Sequence, residues 1–574
     1  MTIDEQIKKL IDNTCKKLKL RGESFVSLSP RFEFGDYCAT VAEEMGKIKG
    51  VKIVYGARSQ KLNKIKKAIE KSNFYKKYIS RIEFKEPVFI NFFVKSQIVQ
   101  EQFEEISKKK ESFGKTNSGK GKTIIIDYSS PNIAKPMHVG HLRSTIIGQA
   151  LYNIYKFLGY KVIGDSHIGD WGTQFGIMIA ACRKYKVNLK TITIKKMLNI
   201  YVRFNKEIDR NSKLQEMARE EFKKLEEGDK ENREIWKILK EESLKEFEKL
   251  YKILGVRFDL VLGESFYEKD LKEIIRYALK KKVAIKNKDD SVVIPLKKFN
   301  LTDCLIQKSD GATLYETRDI ATIKYRVKKY KPDKILYVVG NEQSLHFEQL
   351  FRCAELLGYI SRDKLQHIKF GLVLDENRKK LASRKGRFIG AEDLINKIIE
   401  LANKVIKERS SKLLIKERKK AAEVIGIGAL KYNDLSQNRK TDIIFDWQRM
   451  LSFEENSSPY LQYTYVRLKS ILRKTKSFMK FDSKFLREGK ELQIIRKIDI
   501  FPIILEKTVE ENQTNFLANY LFELAGLINN YYESFPVLKA DKDIRLARLN
   551  LIKMASIVLK TGLNLLGIET LERM

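Results

Sequence analysis

The sequence is poor in residues that staple or punctuate a chain: 574 residues carry five cysteines and nine prolines. The cysteines, at 15, 38, 182, 304 and 353, form no CxxC pair. That spacing argues against a disulfide framework or a cysteine-rich zinc site, and it fits a reducing cytosol. Long apolar runs are missing too. A typical one, Ile177 to Cys182, falls far short of the roughly 18 residues a bilayer requires, so no membrane association is expected. No low-complexity linker or internal repeat is visible. The first twenty residues lack a signal-peptide pattern. Asp4, Glu5 and Asp12 are acidic, and Ile3, Ile7, Leu10, Ile11 and Cys15 recur at helical spacing, which predicts an amphipathic helix. Acidic residues are outnumbered, 74 against 112 Lys and Arg, for a net charge of +38. Such a balance suits a polyanionic partner, nucleic acid first, although general lysine enrichment produces it as well. Apolar residues are plentiful, with 31 Phe, 25 Tyr and 43% hydrophobic residues overall, which argues against disorder of the whole chain. Length alone suggests about three to four domains.

Residues 1–112 read as an α+β domain. It opens with that helix and closes on the aromatic, β-branched run Pro87 to Val94. A basic, Gly/Ser/Asn-rich boundary follows at 114–122. Its Gly114…Gly119-Lys120 has the spacing of a phosphate-binding loop. Gly121, however, stands where a hydroxyl is needed, and the run precedes a strand instead of following one, so it reads as a linker. From Thr123 the pattern becomes strand, loop, helix, strand. Ile124, Ile125 and Ile126 form a buried strand. Leu142, Ile146, Ala150, Leu151, Ile154 and Leu158 share one helical face, Gly159 ends that helix, and 161–165 is the next strand. This βαβ unit seeds a parallel, doubly wound sheet over 113–400. A mostly charged helical insertion interrupts it at about 185–300, and further strands are predicted at 334–340 and 370–374. Residues 401–455 read as connecting helices, and 456–574 as an all-helical domain.

The chemistry concentrates in Pro131-Asn132-Ile133-Ala134-Lys135-Pro136-Met137-His138-Val139-Gly140-His141. The segment lies between a buried strand and the start of its crossover helix, where free N–H groups and the positive end of the helix dipole favour an anion. Two of the chain's five histidines sit three residues apart here, on one helical face. Gly140 allows a phosphate or adenine ring close to the backbone, and Lys135 adds a mobile cation.

His138 to His141 resembles the HIGH signature of class I aminoacyl-tRNA synthetases. The longer string Ser130 to Thr145 resembles arginyl-tRNA synthetases in particular. Further blocks follow in that family's order: Gly169-Asp170-Trp171-Gly172-Thr173-Gln174-Phe175-Gly176, Gly263-Glu264-Ser265, Leu314 to Asp319, Asn341 to His346, Phe445-Asp446-Trp447, Ser458 to Tyr463, and the terminal Leu571-Glu572-Arg573-Met574. The second class I signature is degenerate, Lys380-Leu381-Ala382-Ser383-Arg384-Lys385-Gly386, and Lys135 matches the lysine thought to replace its missing cation.

The resemblance implies a class I Rossmann-type parallel-sheet catalytic domain with a helical insertion. It adds an α+β N-terminal domain touching the outer corner of the tRNA, a stem-contact region at 401–455 and an all-helical anticodon-binding domain at 456–574. The implied activity is arginine–tRNA ligation from L-arginine, ATP with Mg²⁺ and tRNA(Arg), by a cytoplasmic monomer with no protein-bound metal. His138, His141, Lys135, Arg384 and Lys385 stabilise the transition state. ATP is held by His138, Gly140, His141, Lys135, Ser383 and Lys385. By the same resemblance Asp127 and Asn132 hold the α-amino and carboxylate end of arginine. Tyr315, Asp319 and Glu264 take the side chain, with Gln343 and His138 completing the pocket. Asp127 is a departure, since many members carry Glu there. Tyr460, Tyr463, Lys469, Arg473 and Met574 are the implied tRNA contacts, and the phosphate-plus-aromatic mix around 460–476 suits a single-stranded loop. Activation is expected to require bound tRNA. Two rivals are another nucleotidyl transferase sharing the HxGH sheet, and a tRNA-binding relative that has lost catalysis. Length and the helical C-terminus weigh against the first; the intact signature residues weigh against the second.

Overall fold

A computed structural model describes residues 3–18, 24–29, 32–41, 55–85, 89–375, 377–378, 390–409, 414–475 and 480–573. The chain divides into two compact units. One comprises Met1–Phe113, Leu468–Phe501 and Leu524–Val558. Its first helix, Ile3–Lys17, buries Ile3, Ile7, Ile11 and Cys15, the predicted apolar face. Four antiparallel strands follow, in the order Ser24–Leu28, Tyr37–Val41, Phe89–Val94 and Ile79–Lys85. Asp36 is buried just before the interior strand Tyr37–Val41, where it accepts Val94 N–H at 2.6 Å and pairs with Arg496.

The other unit comprises Gly114–Arg467, Pro502–Glu523 and Leu559–Met574. Its core is a five-stranded parallel sheet. We label the strands β1 (Thr123–Asp127), β2 (Lys161–Ser166), β3 (Leu260–Val261), β4 (Lys334–Tyr337) and β5 (Leu365–His367), and the helices α1 (Val139–Phe157), α2 (Thr173–Lys184), α3 (Tyr315–Tyr330) and α4 (Ser344–Leu356). The spatial order is β5-β4-β1-β2-β3, all parallel. Chain direction across the sheet therefore switches between β1 and β4, which is where open parallel sheets form their ligand crevice. β1 carries an almost continuous apolar run because helices cover both faces of such a sheet. α1 is buried nearly throughout, and Gly159, at φ +88°, ends it as expected.

The structure corrects two sequence expectations. Residues 370–374 are not a strand of the central sheet: Val373–Leu374 pairs with Ile443–Ile444 in a separate two-stranded ladder. The fifth central strand is instead Leu365–His367, whose three residues include two polar ones and so carry no strand signal. The insertion holds the helices Ile194–Ile208, Ser212–Glu227 and Lys230–Ile253, but the chain rejoins the sheet at β3. It then builds a small antiparallel sheet from Ile285–Lys286, Val292–Ile294 and Cys304–Gln307. Residues 114–122, read as a boundary, follow directly on the division between the two units at Phe113/Gly114; they form a mostly exposed turn in which Gly119 N–H donates to Leu158 O at the end of α1. Among the described residues no helix is long and apolar enough to cross a membrane.

Tyr128, fully buried just after β1, is the wedge between α1 and β2. Its hydroxyl donates to Arg257 O at 2.7 Å. Its ring lies so close to the helix that a Cβ on Gly148 would come within 2.3 Å of it, and one on Gly164 within 3.1 Å of its hydroxyl. Gly148→Ala is therefore expected to cost about 1–3 kcal/mol through overpacking. That is read as a lower melting temperature by circular dichroism; unchanged melting would contradict this packing.

Candidate active site

A cavity of about 670 Å³ opens at the carboxyl ends of the strands. Asp127, Asn132, His138, Gly140, His141, Glu264, Tyr315, Asp319 and Gln343 all line it. Residues up to 216 positions apart in sequence (343 − 127) are thus brought to one place.

The signature histidines are held by the start of α1. His138 is its N-cap, and its Nδ1 accepts Gly140 N–H at 3.1 Å. His138 N–H in turn donates to His141 Nδ1 at 3.1 Å. With each Nδ1 accepting, a neutral ring carries its proton on Nε2. The rings lie 3.9 Å apart between centroids. Burial first, and then His138 beside it, pushes His141 down to about 3, so it stays neutral near pH 7. A Cβ on Gly140 would meet the His138 ring at 3.0 Å, so glycine preserves this pairing. Behind the histidines, Arg143 is buried and anchors α1 to Asp434 at 3.0 Å and to Gly371 O at 2.7 Å. Lys135 does not line the cavity; its ammonium sits 4.6 Å over the ring of Tyr201 in the insertion.

Asp127 ends β1, and Asn132 forms a bridge with Gly169. Any Cβ on Gly169 would come within 1.9 Å of Asn132 Oδ1, which accounts for the first glycine of the Gly169 block. The block's aspartate has a structural task. Asp170, fully buried, accepts Ser265 N–H at 2.9 Å and its hydroxyl at 2.7 Å, and pairs with Lys240 at 2.6 Å. Since Ser265 is held, its neighbour Glu264 is fixed. Glu264 N–H donates to Ile168 O at 3.2 Å.

Glu264 and Asp319 form the acidic end. Glu264 is buried, and its Oε2 has no hydrogen-bond partner among the described residues. Burial pushes this carboxyl up to about 8; Arg318 opposes the shift while Asp319 and Asp170 reinforce it. Arg318 itself is committed to Glu268 at 2.8 Å. Asp319 differs. Burial raises its carboxyl, but the hydrogen bond from His346 at 2.7 Å, with the charges of His346, His167 and Arg326, outweighs burial and holds it below the usual range. His346 is correspondingly driven up to about 10 by Asp319 and Glu316, against its own burial. Tyr315, four residues before Asp319 on α3, is half exposed at the mouth.

His167 and His346 were given no role by sequence reasoning, yet both line the cavity. The signal was available: four of the chain's five histidines converge on this one site. Ser383, Arg384, Lys385 and Met574 lie outside the described residues. Tyr460, Tyr463, Lys469 and Arg473 share the helix Ser458–Arg473. Tyr463 is exposed and capped by Arg467 at 5.1 Å, whereas Tyr460 packs on Phe522 at 5.4 Å. Tyr465, counted among the aromatics of this helix, is core; its hydroxyl donates to Glu572 at 2.9 Å.

Comparison with known proteins agrees with this geometry. A family model described as tRNA synthetases class I (R), catalytic domain, matches residues 102–447, and one described as DALR anticodon binding domain matches 461–574. The arginine–tRNA ligase of Halothermothrix orenii is 39% identical over 557 residues, 96% of each chain. That of Clostridium kluyveri is 40% identical over 581 residues, 99% of each. The crystal structure of arginyl-tRNA synthetase from Plasmodium falciparum superposes with a TM-score of 0.82 at 25% identity, covering 100% of this chain and 99% of that one. The Thermus thermophilus arginyl-tRNA synthetase shares the fold, with a TM-score of 0.78 at 20% identity over the whole of both chains. With its signature histidines, acidic pocket and helical C-terminus all in place, the chain belongs to the arginine–tRNA ligase family of class I aminoacyl-tRNA synthetases.

Proposed function

We propose that this chain attaches L-arginine to tRNA(Arg) in two steps. The arginine carboxylate attacks the α-phosphorus of ATP in line, magnesium pyrophosphate leaves, and arginyl-adenylate forms. The terminal ribose hydroxyl of the tRNA then takes the arginyl group, giving arginyl-tRNA and AMP. The observation that carries this reading is the buried Glu264 carboxyl, whose Oε2 lacks a partner among the described residues, beside Asp319 and in the same cavity as the His138–His141 pair. A guanidinium supplies a planar donor set that can reach the open oxygen of Glu264 and a second edge of Asp319, which His346 already holds.

In this reading Asp127 and Asn132 hold the α-amino and carboxylate end. Gln343 and His138 close that side, and Tyr315 covers the side chain. Neutral His141, and His138 beside it, donate Nε2–H to charge developing on the α-phosphate, while Gly140 lets the nucleotide approach the helix start. Lys135 leaves the Tyr201 face to reach the phosphates; a cation–π contact worth about 0.5–1 kcal/mol at an exposed site does not prevent that. Ser383, Arg384 and Lys385 supply polar and positive groups for the pyrophosphate leaving group. Mg²⁺ arrives with ATP as substrate. Residues 1–112 contact the outer corner of the tRNA, 113–400 perform the chemistry, 401–455 touch the stem, and 456–574 read the anticodon. In that last segment Tyr460, Tyr463, Lys469, Arg473 and Met574 are contacts. The enzyme works as a cytoplasmic monomer without membrane attachment.

ATP–pyrophosphate exchange tests the reading. Exchange is expected with arginine when cognate tRNA is present, near background with arginine alone, and absent with the other amino acids. Exchange driven by a different amino acid would overturn it.

A pH dependence follows from Glu264. Arginine binds its ionised form, but in the free site the carboxyl titrates near 8. Below that pH, binding must first remove a proton. The arginine KM is therefore expected to fall by about tenfold per unit as pH rises toward 8, then to level. Glu264→Gln is expected to bind arginine more weakly and to lose the slope. A wild-type KM flat from pH 6.5 to 8.5 would contradict this assignment.

A further inference from the structure

Helix α3 aligns Tyr315, Asp319, Thr322 and Arg326 on one face, at spacings of four, three and four residues. The first two line the cavity, while Arg326, fully buried, lies deeper and outside its lining. Its guanidinium sits where the helix meets the sheet. Nη2 donates to Asp127 Oδ2 at 2.6 Å and to Asp165 Oδ2 at 2.8 Å, and Nε donates to the same Asp165 oxygen at 3.1 Å. Asp127 and Asp165 are register partners on β1 and β2, and Tyr337 is the register partner of Asp127 on β4. The Tyr337 ring lies 5.5 Å from the guanidinium. One cation thus ties a helix to three adjacent strand ends. The second oxygen of Asp127 accepts the Ser130 hydroxyl at 2.8 Å. Asp165 is fully buried and outside the cavity lining, so its role is confined to this cluster.

We propose that Arg326 is a positioning residue that sets the length of amino acid the site accepts. The proposal rests on the reading that Asp127 holds the α-ammonium group while Asp319 and Glu264 hold the guanidinium. A substrate charged at both ends is measured by the separation of its two acceptors. Asp127 belongs to the sheet and Asp319 to α3, so that separation depends on how α3 is registered against the strand ends. Arg326 fixes the register, because a rigid planar fork spanning two carboxylates permits one arrangement, which a lysine ammonium does not reproduce. Burial pushes the Asp165 carboxyl up, and the Arg326 guanidinium opposes that shift. The other charged or titratable groups facing the cluster are His167, Asp319, Tyr267 and Tyr337.

The test uses the full chain in tRNA-dependent exchange, with arginine and with homoarginine, which is one methylene longer. Arg326→Lys is expected to raise the arginine KM about a hundredfold. The ATP KM should stay within about twofold, and the homoarginine-to-arginine ratio of kcat/KM should shift at least about tenfold toward homoarginine. The double variant Arg326→Gln with Asp165→Asn removes one buried charge of each sign, so it is the safer folder, and it is expected to show the same loss of length discrimination. A folded variant of either kind with the wild-type ratio would overturn the proposal. Failure of both to fold would also count against it, since the cluster would then be purely structural. Asp127→Asn separates the two readings. An arginine KM unchanged in that variant sinks the substrate placement itself. A raised KM there, with an unaltered length ratio in Arg326→Lys, sinks only the positioning role.

Discussion

Taking a carboxylate out of water costs several kcal/mol unless a cation or hydrogen bonds replace its hydration, and this chain gathers five of them at one end of one sheet. Four have internal counter-charges. Asp127 and Asp165 share Arg326, Asp170 has Lys240, and Asp319 has His346. Glu264 has none of its own, because the nearby Arg318 is spent on Glu268. In the proposed reading a substrate guanidinium meets Glu264 and offers a second edge to Asp319, so affinity and specificity for arginine would share one electrostatic origin.

Keeping an unsatisfied carboxylate buried requires a rigid surround, and the dispersed sequence blocks supply it. The Gly169 block places Asp170 under Ser265 and leaves room for Asn132. α3 brings Tyr315 and Asp319 along one face. The start of α4 brings His346 to Asp319. On the opposite wall, α1 presents two imidazoles whose orientation is set by N–H groups at its own start, and Arg143 ties that helix to Asp434. In the proposed reading the acidic end takes the amino acid side chain and the helix start faces the phosphate, so the two walls would share the work of charge stabilisation.

Much of this was legible in the sequence, for identifiable reasons. The βαβ unit at 123–165 announces itself because a strand covered on both faces must be apolar throughout. The paired histidines stand out because histidine is so scarce in this chain. The edge strand Leu365–His367 was not legible: it is short and half polar, and only the neighbouring strand makes it a strand. Arg326 was equally hidden. On a lysine-rich helix one more basic residue reads as solvated surface, and only the register of Asp127 with Asp165 shows that it is buried. The role of Asp170 was hidden likewise, because its partners lie 70 and 95 positions away. Lys135 matched an expected position in sequence, but its ammonium rests on Tyr201, an insertion residue that periodicity could not connect to it.

The central claim is that arginine enters a site holding a protonated, unpartnered carboxylic acid and leaves it ionised. Calorimetric titration of the enzyme with arginine at pH 7, repeated in buffers of different ionisation enthalpy, measures this directly. With Glu264 titrating near 8, close to one proton should be released for each arginine bound. Binding with no proton released would contradict the account.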